Sequence, residues 1–350
     1  MKNRMHMNET AAPTRSISDP VGWLNFVVLC LIQGSTFLAM RLAVGPGRGF
    51  PPFWMAASRF SAAGGVLIAV LTCLGFTMRL PARQLAAVLA SGVLLCGGGT
   101  GFATIASRSV GPGLVALVFA LGPIWAAAME WAGGGRRPSL LGVAAMLTGA
   151  AGVGLLVLRP GGPSPGGATT LALLLGPVCY AAGGVLLKYT VLKDTAGATV
   201  SLWVTIAWQM VGGSAFLWAA LIVVGEPLPS PTPTAWMAWA YATVVSSLVA
   251  FTSYLIALRR LPASVFMSHS WVFPVVATAL GWVVLAEPLP ANAYPAGGLI
   301  LTGLIALVVS ASGPNRGAQP PSGSPANSTR GHSKRSTRER PHGLPASSSS

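Results

Sequence analysis

The sequence predicts an all-α integral membrane protein, with ten transmembrane helices arranged as two inverted five-helix repeats. Three observations predict this class: a composition poor in charge, ten apolar segments of membrane-spanning length, and features of the first half that return in the second. Only 8% of the 350 residues are charged and 53% are hydrophobic, whereas soluble domains carry about 25% charged residues. A chain with so few charges is not expected to face water on all sides.

Ten apolar segments lie between clusters of glycine, proline and charged residues. A bilayer core about 30 Å thick requires about 20 residues of helix, and each segment is close to that length or longer. The segments are residues 21–44, 52–73, 84–105, 112–131, 138–158, 168–187, 199–225, 234–258, 262–285 and 291–312.

Polar segments are expected at both ends of the chain. Residues 1–20 are too long and too mixed for the charged start of a cleaved signal peptide, so we expect a retained cytoplasmic segment. Residues 313–350 are rich in Pro, Ser and Gly and basic, which predicts a disordered cytoplasmic tail. The tail is either solvated or in contact with anionic membrane lipid. Most other charges punctuate the hydrophobic segments, so the net charge of +15 does not indicate nucleic-acid binding.

The basic residues alternate between the two sides of the membrane. If the N-terminus is inside, the inner segments before the tail hold eleven Lys and Arg residues, and no outer loop holds more than one. Because cytoplasmic loops are enriched in Lys and Arg, both termini are predicted to be cytoplasmic. We expect a multi-pass protein of the plasma membrane.

The second half repeats features of the first. The fourth and ninth segments each have a mid-span proline, Pro123 and Pro274, and each is followed by a span with Leu-Thr-Gly, at 147–149 and 301–303. Five spans per half would invert the second copy, as in many transporters with alternating access. The predicted repeats are residues 21–158 and 168–312, although Gly/Ala-rich helices can also look alike by chance.

Several of these stretches resemble the EamA-type branch of the drug/metabolite transporter superfamily. They are QGSTFLAMRLAV in the first helix, SRFSAAGGVLIAV in the second, and the segments Pro123 to Glu130 and Pro274 to Glu287. The resemblance covers roughly residues 21–312, with Gln33 where tryptophan is usual and Arg59 on the family arginine. It implies export of small metabolites through an inverted pair of five-helix bundles.

Candidate solute-binding residues are polar groups inside the spans, because burying them is costly unless they are paired or bind a ligand. Arg59 lies about 10 Å inside its helix, where it is expected to attract a carboxylate or phosphate. Gln33 and Thr36 share a helix face. They either offer an amide and a hydroxyl to the solute or bond a neighbouring helix. Arg41 is expected to reach the membrane interface.

Four further candidates have competing interpretations. His269 could carry a coupling proton or donate one structural hydrogen bond, and Gln209 is a buried amide with the same two alternatives. Trp125 and Tyr180 either form pocket walls or pack in the core. The run CGGGTGF from Cys96 predicts a weak, cavity-lining turn or close helix packing.

The positions of the acidic residues in the sequence restrict the expected class of substrate. No Asp or Glu lies in the middle of a span, since Glu130, Glu226 and Glu287 are all terminal. A pump for lipophilic cations would be expected to hold a membrane carboxylate, so Arg59 without such an acid favours neutral, zwitterionic or anionic solutes such as amino acids. The EPLP stretches at Glu226 and Glu287 are interpreted as helix stops.

The predicted function is therefore a secondary-active exporter of small metabolites, with proton coupling left open. The alternatives are an exchanger of sugar phosphates or nucleotide sugars, or a receptor or structural membrane protein. An enzyme is not expected, because one membrane histidine and no mid-span acid cannot form a nucleophile–base or metal cluster. Neither the spacing of the four cysteines nor any phosphate-binding loop indicates a metal or another cofactor. Glycine runs in the fifth and tenth spans pack either within the monomer or in a homodimer.

Overall fold

The chain is helical throughout the part that the computed structural model describes, which confirms the predicted all-α class. The described residues are 19–134, 140–157, 166–187, 189, 201–261, 269–286 and 292–312. No strand occurs in these ranges. The described residues belong to one compact unit that ends at Ser312.

The helices follow the predicted apolar segments closely. The beginning of the ninth segment, residues 262–268, lies outside the described residues, as do residues 138–139, 158, 199–200 and 291 of the fifth, seventh and tenth segments. In chain order the helices are α1 Pro20–Val44, α2 Pro52–Cys73, α3 Ala82–Ser107, α4 Pro112–Ala132, α5 Leu140–Val157, α6 Gly167–Leu187, α7 Leu202–Val224, α8 233–260, α9 His269–Leu285 and α10 Ala293–Ser312.

Seven helices in the described part of the chain are long and apolar enough to cross a membrane, namely α1 to α4 and α6 to α8. Leu140–Gly152 and Val272–Leu285 are shorter apolar stretches of α5 and α9. Because membrane crossing requires about 20 apolar residues, these lengths identify a multi-pass membrane protein.

The ends of the helices are set by short-range signals. Asp19 caps α1, since its carboxylate accepts hydrogen bonds from Val21 N at 2.9 Å and Gly22 N at 3.2 Å. Pro52 begins α2, where its missing N–H has no cost. Gly225 ends α7 with a φ of 69°, a conformation that favours glycine. We refer to the end of the bundle where α1 begins as the Asp19 end, and to the opposite end, where α2 begins, as the Glu226 end.

Three helices depart from regular α geometry inside the bundle. α3 is π-helical over Val93–Thr100 and α8 over Ala242–Val249. The first π-helical segment contains most of the glycine run. The helix is therefore wider there than a regular α-helix, but it is not interrupted. α4 is interrupted between Phe119 and Gly122, next to Pro123, whose ring cannot continue the helical hydrogen bonding.

The glycines of the bundle allow close approach between helices. A Cβ on Gly98 would lie 2.8 Å from Cys179 Cβ, so the packing interpretation explains this part of the glycine run. Between α5 and α10, a Cβ on Gly152 or Gly303 would meet the backbone of the facing helix. Gly152 and Gly303 thus pack within the chain, whereas a Cβ on Gly154 or Gly298 would have no neighbour within 4 Å.

The helices are arranged in recurring pairs. α2 packs along α7 and α5 packs along α10, while α1 contacts α8 and α9 and α6 contacts α3 and α4. This arrangement puts α1, α4, α6, α8 and α9 around the middle of the bundle, where the candidate site is found.

Candidate functional site

The polar stretch in the middle of α1 is largely used to attach neighbouring helices. Gly34 faces α9, where a Cβ would lie 2.6 Å from Val276 Cβ and 2.9 Å from Phe273 O. The hydroxyl of Ser35 lies 2.5 Å from that of Tyr241. Thr36 Oγ1 lies 2.6 Å from Ile32 O and 2.8 Å from Ser246 Oγ on α8. The Thr36 hydroxyl, a predicted solute ligand, is therefore bonded to protein groups.

Gln33 faces a different partner from the other residues of that stretch. Its side chain lies beside that of Tyr180 of α6. Gly99 of α3 makes room for this tyrosine, since a Cβ there would lie 2.9 Å from Tyr180 Cβ. Two of the predicted site residues, from distant parts of the chain, thus meet in the middle of the bundle.

Six rings form a series of contacts that begins at Tyr180, and we call this series the aromatic belt. The ring centroids of successive members are 5.9 to 6.4 Å apart. Tyr180 and Tyr254 lie at the two ends of this series of ring contacts. In order, the members of the aromatic belt are Tyr180, Phe119, Phe37, Phe273, His269 and Tyr254.

The aromatic belt combines apolar faces with a few polar groups. The phenylalanines supply area for an apolar moiety. The two tyrosine hydroxyls, the His269 ring and the neighbouring Gln33 amide supply hydrogen-bonding groups. Such a mixture of apolar walls and few polar groups is typical of small-molecule sites.

Arg59 lies deep in the bundle, as its position in α2 predicted. It is only 4% exposed, and its Nε donates to Ser247 Oγ at 2.9 Å. Its Cζ lies 5.0 Å from the centre of the Phe60 ring, while Nη1 has no hydrogen-bond partner. Among the described residues, no carboxylate forms an ion pair with this guanidinium.

An apolar crevice lies beside the serine that holds Arg59. Its volume is about 160 Å³, and it is bounded by α2, α7 and α8 with Leu67, Trp203 and Phe251 in its walls. Ser247 also lines the crevice. A solute with an apolar part could therefore be accommodated close to the Arg59 region.

Two predicted site residues lie outside this centre. Gln209 is 4% exposed, and its Nε2 donates to Ser91 Oγ at 2.8 Å, which in turn donates to Gly183 O at 2.7 Å. This chain of bonds connects α7, α3 and α6. Trp125 is 37% exposed, and no described ring contact or hydrogen bond joins it to the aromatic belt.

Arg41 has a structural contact that the sequence did not indicate. Its Nη1 donates to Arg108 O at 2.6 Å and to Ser107 O at 3.2 Å. A cation at the carboxyl end of α3 stabilises the free carbonyl groups there. Arg41 therefore connects α1 to α3 at the Glu226 end.

Acidic residues connect helices at both ends of the bundle. At the Asp19 end, Arg260 Nη1 donates to Asp19 Oδ2 at 3.0 Å. Burial raises the pKa of Asp19, but hydrogen bonds from Arg260, Gly22 and Val21 and the charge of Arg260 outweigh it, so this pKa lies below its ordinary value. At the Glu226 end, Glu226 accepts hydrogen bonds from the first backbone N–H groups of α2.

Sequence reasoning missed Tyr254, Ser247 and the role of Glu226. Tyr254 and Ser247 belong to α8, whose π-helical segment alters the face on which each residue lies. Glu226 was interpreted as a helix stop, and its partner backbone is about 170 residues earlier in the chain, so no local pattern could reveal it. Among the described residues, no group of three His, Cys, Asp or Glu side chains could hold a metal ion.

A bundle of apolar helices around an aromatic, sparsely polar centre with one buried arginine defines a membrane transport protein rather than a soluble domain. The family model of the EamA-like transporter family matches residues 20–158 and again 168–309. The chain belongs to the EamA-like transporter family.

Individual proteins agree with this assignment. The chain is 29% identical over 287 residues to an uncharacterized inner membrane transporter, YedA, of Escherichia coli (strain K12), with 79% of this chain and 87% of that protein covered. The YedA of Escherichia coli O157:H7 matches to the same extent. A solved chain, titled "Crystal structure of protein", has a TM-score of 0.58 at 24% identity and covers 82% of this chain and 96% of its own length, which shows a shared fold.

Proposed function

We propose that the protein exports small carboxylate-bearing metabolites, such as amino acids, as a secondary-active transporter with alternating access. The observation that carries this proposal is the buried Arg59, whose Nη1 lacks a hydrogen-bond partner. A guanidinium is costly to bury without a counter-charge. A carboxylate solute supplies that charge, and it can bond two guanidinium nitrogens at once.

The aromatic belt is the proposed chamber for the rest of the solute. Gln33, Tyr180 and His269 are placed to orient polar groups there, and the phenylalanine rings would contact an apolar side chain. Histidine is the side chain whose ordinary charge change lies near neutral pH, so His269 is the member of the belt that is chemically suited to carry a coupling proton. Proton coupling through His269 is accordingly part of the proposal.

Alternating access would use ten membrane-spanning helices in two inverted halves. Support comes from the helix pairs, because α1 contacts α8 and α9 while α6, its proposed equivalent, contacts α3 and α4. The π-helical segments begin at Val93 and Ala242, 149 positions apart, and Trp54 and Trp203 have the same separation. Transporters with this architecture bind their solutes at the interface of the two repeats.

The proposed orientation has the Asp19 end in the cytoplasm and the Glu226 end outside. It follows from the excess of Lys and Arg in the loops at the Asp19 end. The predicted plasma-membrane location is part of the same proposal, and the relative named for the inner membrane agrees with it.

Transport by Arg59 variants in proteoliposomes tests the proposal. Labelled amino acids, organic acids, sugar phosphates and a quaternary ammonium compound are loaded, and efflux is measured with and without a pH gradient. Charged hydrogen bonds contribute about 1.5–3 kcal/mol, so Arg59→Gln should reduce carboxylate transport about tenfold or more. Arg59→Lys should retain part of it, because lysine keeps the charge but loses the planar geometry.

Arg41→Gln is the matched control, since Arg41 bonds backbone carbonyls instead of facing the centre. It should lower stability while leaving the KM for carboxylates unchanged. Normal carboxylate transport by folded Arg59→Gln, or transport of only the quaternary ammonium compound by the wild type, contradicts the proposal. Strict exchange of sugar phosphates would instead favour the exchanger alternative.

A further inference from the structure

A serine of α8 fixes the buried guanidinium of Arg59. Arg59 Nε donates to Ser247 Oγ at 2.9 Å, and the Ser247 hydroxyl in turn donates to Ala242 O at 3.1 Å. Both Arg59 and Ser247 are buried. A hydroxyl has a single hydrogen to donate, so the bond to Ala242 O leaves the lone pairs of Ser247 Oγ to accept from Arg59.

This bond determines which edge of the guanidinium is left for a ligand. A planar guanidinium can hold a carboxylate with two parallel hydrogen bonds, either through Nε and Nη2 or through Nη1 and Nη2. Ser247 occupies Nε, whereas Nη1 has no hydrogen-bond partner. The edge formed by Nη1 and Nη2 is therefore the one that remains for a carboxylate.

The serine holds the guanidinium without neutralising its charge. A hydroxyl is a neutral acceptor, and in the part of the chain that the structure describes no carboxylate is paired with Arg59. The charge thus remains available to an anion, while the hydrogen bond restricts the rotamers of a long and flexible side chain. Such preorganisation lowers the cost of binding a ligand.

Two neighbouring serines of α8 bond two different helices. Ser246 Oγ lies 2.8 Å from Thr36 Oγ1 on α1, whereas Ser247 bonds Arg59 on α2. Both serines are buried and belong to the π-helical segment Ala242–Val249. Loss of either hydroxyl removes one buried contact between α8 and the first half of the chain, but only Ser247 contacts the guanidinium.

A serine is not required for the π-helical geometry at this position. The π-helical segment of α3 begins at Val93, 149 positions before that of α8, and it has Gly98 where α8 has Ser247. With the same offset, the position of Arg59 corresponds to Trp208. The serine and the arginine therefore occur together in one half of the chain, and the backbone geometry does not explain the serine.

We infer that Ser247 is a positioning residue of the solute site, which holds Arg59 so that the edge formed by Nη1 and Nη2 binds the carboxylate of the solute. The inference rests on the proposed function, because that function assigns the solute carboxylate to Arg59. Without Ser247 the guanidinium keeps its charge but loses its fixed orientation. The solute should then bind more weakly, while the later steps of transport proceed as before.

The test measures KM and kcat for labelled leucine in proteoliposomes. Ser247→Ala should raise the KM about tenfold, as expected when a hydrogen bond to a charged group is lost, and it should leave kcat nearly unchanged. Ser247→Thr keeps the hydroxyl and should have a KM close to that of the wild type. Ser246→Ala is the matched control, since it should lower the free energy of unfolding as Ser247→Ala does but leave the KM unchanged.

A double-mutant cycle with Arg59→Lys separates positioning from packing. An ammonium group has no planar edge to orient, so Ser247→Ala should change the leucine KM by no more than about twofold in the Arg59→Lys protein. A purely structural role of Ser247 would instead give the same change in both backgrounds.

An equal rise of KM in both backgrounds overturns the inference, as does a rise in Ser246→Ala that matches the one in Ser247→Ala. A folded Ser247→Thr protein with the KM of Ser247→Ala also contradicts it. If leucine transport depends on Arg59 but Ser247→Ala behaves as the wild type, the inference fails and the proposed function stands. If the folded wild type transports no carboxylate of the Arg59 panel, both fail.

Discussion

Replacement of Gly34 by alanine should destabilise the bundle, although alanine is the better helix former. In a helix interior the change contributes about 1 kcal/mol in favour of the variant. The close packing of α1 on α9 opposes this gain in helix propensity. The new methyl group would lie 2.6 Å from Val276 Cβ and 2.9 Å from Phe273 O. The carbonyl oxygen belongs to the backbone and cannot rotate away.

Overpacking in a well-packed interior costs typically about 1–3 kcal/mol, and contact with backbone places Gly34→Ala near or above the upper limit. The net expectation is a loss of about 1–2 kcal/mol in the free energy of unfolding. Gly65→Ala is the matched control, because Gly65 lies within α2 and a Cβ there has no neighbour within 4 Å. That variant should gain up to about 1 kcal/mol.

The free energies of unfolding are measured by titrating the micelle-solubilised protein with a denaturing detergent and following circular dichroism. The expected difference in stability between the two variants is about 1–3 kcal/mol, as the helix-propensity and overpacking magnitudes imply. Equal stability of Gly34→Ala and Gly65→Ala would refute the reasoning. It would mean that α1 and α9 are not held at the distance that excludes a side chain.

Two further predictions concern polar contacts. Arg260→Gln should weaken the pH dependence of stability, because the pKa of Asp19 lies below its ordinary value of 3.8. Its contribution is present above that pH and is lost as the pH falls through the native pKa. Thermal unfolding at several acidic pH values checks this, and unchanged curves would contradict it. Gln209→Leu should cost about 1 kcal/mol, whereas Ser91→Ala should cost about 1–3 kcal/mol because it leaves the Gln209 amide and Gly183 O without a partner. Unfolding in denaturing detergent measures both stability losses. A larger loss in Gln209→Leu than in Ser91→Ala would contradict this expectation.

The helices could be predicted from the sequence because hydrophobic length is a local property. Asp19, Pro52 and Gly225 mark helix ends by their own chemistry, and the apolar segments between them agree with the described helices. The burial of Arg59 was also predictable, because seven residues of helical rise from Pro52 place it well inside the bundle.

The composition of the site was only partly predictable. Gln33, Tyr180 and His269 were recognised as polar or aromatic residues within spans, and the structure puts Gln33 beside Tyr180 and His269 beside Tyr254 and Phe273. Trp125 met the same criteria, yet it is 37% exposed, and no described ring contact or hydrogen bond joins it to the aromatic belt. Which side of an apolar helix faces the centre depends on tertiary packing, and helices that are apolar all round carry no periodic signal for it. Tyr254 was missed because the π-helical segment of α8 alters the face on which the residues after it lie.

The polar stretch in α1 shows how one helix combines attachment with function. Gly34, Ser35 and Thr36 contact α9 and α8 through close packing and hydroxyl bonds, so they fix where α1 lies. Gln33, beside them, faces Tyr180 instead. Because Gly34 holds α1 against α9, Phe37, one helical turn after Gln33, stacks on Phe273 with their centroids 5.9 Å apart. A substitution that moves α1 from α9 should therefore disturb the aromatic belt as well as stability. Gly34→Ala should impair transport more than its loss of folded protein explains.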